Sequence, residues 1–289
     1  MRIIIVAMKN FFEPKNIFVF DIETIPDDES AYHLIGEDKK DLESLEQRRE
    51  ALRDYHLEIT DGKNDFLRQP FHKVVAISFL VASVEYNNEG QEVLKLKEVR
   101  SGGTKDSTEK ELIKGFFSTI DKLKPKIVSF NGKTFDIPVL KYRAMKYGIT
   151  GEFFHNAGNK YESYSNRYAL GWHCDLIDAL SDFGASARIK LNEVCSILGF
   201  PGKFGVDGSL VTQMYDNGEL EDIRNYCETD VLNTYLVYLR YALHLGKIRL
   251  DNYNTAISDL LDFLKDSNQT HFQDFYSAWV KANGGSFYL

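Results

Sequence analysis

Apolar positions along the chain fall into short unbroken runs and longer stretches of helical period, and each kind predicts an element. Ile17-Phe18-Val19-Phe20 has no polar interruption and reads as a buried strand. Residues 74–82 and 93–99 predict two more strands, with Asn87-Asn88-Glu89-Gly90 as the turn between them. Ile127-Val128-Ser129-Phe130, after Pro125, predicts another short buried strand, and residues 174–177 a further one. Ser107-Thr108 can cap a helix to about residue 123, whose apolar face is Leu112, Ile113, Phe116, Phe117 and Ile120. A second helix is expected from Asp136 and Pro138 to Gly148, and a short one over 191–198, ended by Gly199 and Pro201. The longest is expected over 219–245, with a stripe of Leu220, Ile223, Cys227, Val231, Tyr235, Leu239 and Ala242 and Gly246 as its stop. One more helix is expected in the tail from Leu250, and an exposed amphipathic helix over 38–53, where Leu42, Leu45 and Leu52 recur. Residues 155–170, rich in Tyr, Asn and Ser, read as a loop or hairpin. Strands followed by helix–strand units predict an α/β fold with a mixed sheet.

Composition narrows the classes. The chain of 289 residues is 43% hydrophobic and 13% aromatic, which supports a substantial core and excludes wholesale disorder. That length allows one elaborated domain or two small ones. No apolar run approaches the ~20 residues of a membrane helix, so no membrane association is expected. Ile3-Ile4-Ile5-Val6-Ala7 follows Arg2 without a full apolar region or cleavage site, so no signal peptide is expected, and Met8 is an alternative start. Cys174, Cys195 and Cys227 form no Cys-x-x-Cys pair and suit reduced, buried thiols in a cytoplasmic protein. The formal charge of −8 argues against a protein that holds nucleic acid by bulk charge.

Three constellations carry candidate chemistry. Asp21 and Glu23 end the first strand, and residues two apart on a strand share a face, so both carboxylates can reach one point. Hard divalent cations take such oxygens, although Asp27-x-Glu29 and Asp41-x-Glu43 repeat the pattern and a strand emerging into solvent also explains the pair. Asn131-Gly132-Lys133-Thr134-Phe135-Asp136 is a strand–loop–helix junction in which Asp136 can be an ordinary cap and Asn131 a turn residue. Tyr226 and Asp230, four apart, share a helix face beside the buried stripe. Of the 16 tyrosines, only Tyr226 has an Asp four residues on.

Taken in order, Phe20-Asp21-Ile22-Glu23-Thr24, Asn131-x-x-x-Phe135-Asp136 and Tyr226-x-x-x-Asp230 resemble the DEDD 3′→5′ exonucleases. The nearer likeness is to stand-alone bacterial proteins related to the proofreading exonuclease domain of family-B DNA polymerases. It spans about residues 17–247 and implies an RNase H-like mixed central sheet flanked by helices. On that reading residues 1–289 are one elaborated exonuclease domain, with a charged insertion at about 27–70, a helical tail at about 250–289 and no room for a polymerase. The resemblance implies that Asp21, Glu23, Asp136 and Asp230 hold two divalent cations, Mg²⁺ or Mn²⁺, with Asp21 bridging. Asn225 stands where one subclass has a histidine, so Tyr226 places the chain in the Tyr subclass, its hydroxyl orienting the attacking water. Asp175 stands where related proteins often carry an acid, outside the ligand set.

Two such metals address the poor leaving group and the anionic bond of a phosphodiester. The implied reaction is 3′→5′ hydrolysis of single-stranded ends, DNA favoured over RNA, releasing nucleoside 5′-monophosphates. Thr24, Asn131, Lys133, Phe135 and Lys203 are the candidate substrate contacts, with Lys133 and Lys203 for phosphate. Tyr161, Tyr164 and Tyr168, with Arg167, can stack bases or pack on the body; Lys122, Lys124, Lys126, Lys141, Arg143 and Lys146 are mostly expected in solvent, His72 in a structural role. An RNase D-like exoribonuclease and a non-catalytic nucleic-acid-binding protein are the alternatives. The four acids also account for part of the −8, which two Mg²⁺ would offset.

Overall fold

The computed structural model describes residues 12–34, 42–203 and 208–289; the run at 3–7, Met8, the 38–41 start of the expected charged helix, Phe204 and Gly205 lie outside them. Its sheet has five strands, β1 (Asn16–Pro26), β2 (His72–Tyr86), β3 (Glu92–Ser101), β4 (Lys126–Ser129) and β5 (His173–Asp175), in the order β3-β2-β1-β4-β5. β1 runs antiparallel to β2, as β2 does to β3, whereas β4 lies parallel to β1 and β5 parallel to β4. This is the mixed sheet expected from the chain's patterning.

Alternation along β1 divides the core. Ile17 and Val19 face the apolar cluster that includes Val231 and Tyr235, while Phe18, Phe20 and Ile22 face one containing Phe116 and Leu140. The first side is covered by α9 (Leu220–His244), backed by α10 (Leu250–Asp266) and α11 (Thr270–Asn283). The second is covered by α3 (Glu109–Leu123) and α4 (Asp136–Tyr147). Thr108 caps α3 in a reciprocal box with Glu111, and left-handed Gly148 ends α4. The other α-helices among the described residues are α1 (Asp28–Leu34), α2 (Leu45–Ile59), α5 (Glu152–Asn156), α6 (Leu176–Leu180), α7 (Leu191–Leu198) and α8 (Val211–Asp216).

Several expectations are corrected. β1 does not end at Phe20: it continues to Pro26 because β2 pairs with it from Asn16↔Ser83 to Pro26↔His72, so Asp21 and Glu23 lie within a strand. β4, however, pairs only with Ile17, Phe18 and Val19, so among the described residues the second half of β1 has a partner strand on one edge alone. The strand expected over 174–177 becomes β5 followed by α6, since Asp175 accepts the Ile177 N–H and caps the helix. The tail holds two helices, and α9 is buried around its girth because α7, α10 and α11 cover the face opposite the sheet.

The charged segment is anchored rather than solvated throughout. Arg143 and Asp27 are 2% and 3% exposed and paired to each other, and Arg143 also pairs with Glu109. Lys126 is buried and donates to the Tyr238 hydroxyl at 2.8 Å. Nothing in the local sequence distinguishes these cations from exposed ones, because their counter-charges and acceptors lie far away in the chain.

Candidate active site

Asp21 and Glu23 project from β1 on the same side as Ile17 and Val19, toward α9. There α9 presents Tyr226, Cys227 and Asp230, all buried. Carboxylate oxygens of Asp21 and Glu23 and the Cys227 sulfur lie within 4.8 Å of one another. The Cys227 Sγ is 3.5 Å from the Asp21 carbonyl oxygen and 3.8 Å from its Oδ2. Cys227 had read only as part of a buried stripe, and nothing in the sequence placed it at the acids.

Asp136 arrives from the other side of the sheet. Its Oδ1 accepts the Ile22 N–H at 3.2 Å, beyond the point where β4 stops pairing with β1. The loop that delivers it is tightly built. Asn131 sits at a left-handed φ of 73°, and a Cβ at Gly132 would lie 2.5 Å from the Ser129 hydroxyl, so only glycine fits. Asp175 accepts the Asn131 and Lys133 N–H groups at 2.7 and 2.9 Å and thereby shapes the loop.

Burial raises the affinity of every acid here for protons. Burial, then the charges of Asp136, Glu23 and Asp230, hold Asp21 well above the usual carboxylate range. Glu23 is raised by burial and by Asp230. Burial pushes Asp136 to about 7, with Asp175 adding and two backbone N–H groups opposing. Asp230 is raised by burial against the charge of Lys203. Asp136 and Asp230 are buried and Asp21 and Glu23 partly so, and acids close enough to raise one another's proton affinity have no reason to be together unless positive charge joins them.

One such charge belongs to the chain. Lys203 Nζ lies 2.9 Å from Asp230 Oδ2 and donates to the Tyr226 hydroxyl at 2.6 Å. Its backbone is fixed by neighbours: Asn233 of α9 bonds both the N–H and the carbonyl of Gly202, and Asn192 accepts the Lys203 N–H. Asn233 and Asn192 escaped notice in the sequence, because an asparagine on a helix carries no sign of the loop it will hold. Burial, then the charge of Asp230, raise the Tyr226 pKa, so its hydroxyl keeps its proton.

The remaining candidates border this group. Thr24 Oγ1 lies 2.9 Å from His72 Nδ1, and Phe135 meets His72 edge-on at 4.9 Å between centroids. Lys133 donates its ammonium to the carbonyls of Asn166 and Arg167, and burial lowers its pKa to about 8. Tyr164 is buried with its hydroxyl on the Pro125 carbonyl, whereas Tyr161 and Tyr168 are exposed. Arg167 is paired with Asp178.

The donor set suits hard cations: oxygen ligands predominate, and Asp230 Oδ1 is buried with no hydrogen-bond partner among the described residues. Burial and Asp21 raise the Cys227 thiol, which argues against a soft thiolate site.

No curated protein matches the chain. The structure of the family B DNA polymerase from the hyperthermophilic archaeon Pyrobaculum calidifontis is similar at a TM-score of 0.44 and 17% identity, over 86% of this chain and 29% of that one. The chain therefore spans less than a third of that polymerase. Residues 64–279 match a family described as a predicted 3′–5′ exonuclease related to the exonuclease domain of PolB. The matched region includes Asn131, Asp136, Lys203, Tyr226 and Asp230 and begins beyond Asp21 and Glu23. By this match, which covers most of the chain, the protein belongs to the family of predicted 3′–5′ exonucleases related to the exonuclease domain of PolB.

Proposed function

We propose that the protein is a divalent-metal-dependent 3′→5′ exonuclease that shortens single-stranded DNA from its 3′ end and releases nucleoside 5′-monophosphates. The observation that carries the reading is the convergence of Asp21, Glu23, Asp136 and Asp230 from three elements, where the charges of Asp136 and Asp230 raise Asp21 and Glu23 and Lys203 answers the repulsion only in part. Mg²⁺ or Mn²⁺ held by these four carboxylates would supply Lewis-acid activation of water and stabilisation of the departing 3′-oxygen.

The chain's own groups set the geometry. Lys203 donates to the Tyr226 oxygen and the Tyr226 hydroxyl bonds Asp230, which holds the phenol beside that acid, where it can orient a water or a phosphate oxygen. A protonated Tyr226 is a poor base, so it positions the nucleophile rather than deprotonating it. The Lys203 ammonium stands beside Asp230, where it can meet a non-bridging phosphate oxygen. Asn131, Phe135 and Thr24 line the approach and contact the terminal nucleotide, with Lys133 holding the neighbouring loop by its two carbonyl bonds.

The test uses 5′-labelled and 3′-labelled single strands with Mg²⁺ or Mn²⁺. A 5′ label shortening as a descending ladder, lost in Asp21→Asn and Asp136→Asn, is the expected result. Full activity in both purified variants would overturn the assignment. Parallel DNA and RNA strands decide the sugar preference.

A further inference from the structure

Three aromatic rings, one of them from the charged segment, pack together at the edge of the acids, with His72 buried beneath half-buried Phe135 and exposed Phe66. Phe66 packs against Phe135 at 5.8 Å and His72 at 5.2 Å between centroids, and Phe135 against His72 at 4.9 Å. Phe135 is the residue before Asp136, and His72 is bonded to Thr24, the residue after Glu23. The shelf thus abuts the acid group through two chain neighbours.

Phe66 is unusual among these rings because it is 59% exposed, although it is held firmly. Its N–H donates to Asn64 Oδ1, the carbonyl of the next residue, Leu67, accepts from His72 Nε2, and Gln69 Nε2 bonds the carbonyl of Thr134. Leu67 itself packs with Leu52 and Ala31 in a small core of the same segment. A large ring fixed beside a polar site, with its outer area in water, offers a flat apolar face at little entropic cost.

We infer that Phe66 is a substrate residue: with Phe135 it forms a stacking shelf for an unpaired base at the 3′ end of a single strand. The inference rests on the proposed exonuclease reading and deepens it. It gives the 27–70 segment a role in binding, since that segment alone supplies the exposed ring. Stacking on an aromatic ring is tolerant of base identity, so the shelf requires an unpaired base and does not select its type.

The experiment uses the full chain and an oligodeoxynucleotide carrying 2-aminopurine at its 3′ end behind a phosphorothioate linkage, whose fluorescence falls when the base stacks. Wild type should quench the probe. Phe66→Ala and Phe66→Leu should lose much of the quench and bind weaker by on the order of 10- to 100-fold, whereas Phe66→Tyr should retain both. An otherwise identical strand with an abasic 3′ terminus should bind wild type and Phe66→Ala alike. Absence of quenching by wild type, or an equal loss by Phe66→Ala on normal and abasic strands, would overturn the shelf. Thermal melts of the Leu and Tyr variants separate stacking from folding. Mononucleotide release from an unmodified strand is scored in the same preparations. Quenching without release sinks the exonuclease reading and leaves the shelf standing.

Discussion

The Ile22 N–H donates to the Asp136 carboxylate at 3.2 Å, just past the end of β4's pairing with β1. A side chain from α4 thus satisfies a strand donor that the neighbouring strand leaves unpaired. The bond fixes one acid of the site between two others, since Ile22 lies between Asp21 and Glu23.

This bond separates stability from charge. Asp136→Asn retains an oxygen acceptor and removes a repelling anion, so its melting temperature without metal should equal or exceed that of wild type. Asp136→Ala leaves the Ile22 N–H without a partner and should cost about 1–3 kcal/mol. Both should lose exonuclease activity by more than about 100-fold, beyond what loss of an outer partner causes. Thermal melts in EDTA beside an activity assay check the pair. A destabilised Asn variant would contradict the repulsion argument.

Divalent metal should stabilise the protein in the absence of substrate. Mn²⁺ at 100 times its dissociation constant adds about 2.7 kcal/mol if it binds only the folded chain. The melting temperature should rise saturably with Mn²⁺ or Mg²⁺ in wild type and much less in Asp21→Asn or Asp230→Asn. Calorimetry that shows the same rise in all three would place the cation elsewhere.

Arg143 is the buried tie between the charged segment and the helix that carries Asp136. It is ion-paired to Asp27 and Glu109, and the Tyr147 hydroxyl donates to Glu109 at 2.6 Å. Arg143→Met alone leaves buried Glu109 without a cation and buried Asp27 with only half-exposed Lys146, and should cost about 3–5 kcal/mol. Combining it with Asp27→Asn and Glu109→Gln should restore much of that loss, because replacing a whole buried ion cluster is often near neutral. Urea midpoints of the single and triple variants measure the difference.

His173 supplies a pH dependence of its own, outside the acid group. It is fully buried, lies 2.7 Å from the Ser129 hydroxyl by its Nε2, and burial, then Lys133, lower its pKa well below 6.5. A histidine lowered on folding contributes stability that is present above its unfolded pKa and is lost as pH falls toward its folded one. Below about pH 6.5 the protein should lose about 1.4 kcal/mol per pH unit from this group. The stability difference between wild type and His173→Gln should change by that slope in denaturation series between pH 7.5 and 5.5, while the raised acids, common to both, push the opposite way. An unchanged difference would assign the slope to other groups.

The elements and the order of the acidic motifs were legible in the sequence because both depend on local spacing. Strand runs, the Thr108 cap, the Gly148 stop and the Tyr226–Asp230 helical pair follow from periods and caps within a few residues. What tertiary structure alone decided is who meets whom. That β4 stops early enough to leave Ile22 for Asp136, that Cys227 lies against Asp21, and that Asn233 holds the loop of Lys203 are long-range matters of register and packing. The same holds for buried Arg143, whose local sequence suggested a solvated cation, and for exposed Phe66, which the sequence did not single out. Charge and aromaticity are properties of a residue, but burial and partnership are properties of the fold, and the chemistry of this site depends on the latter.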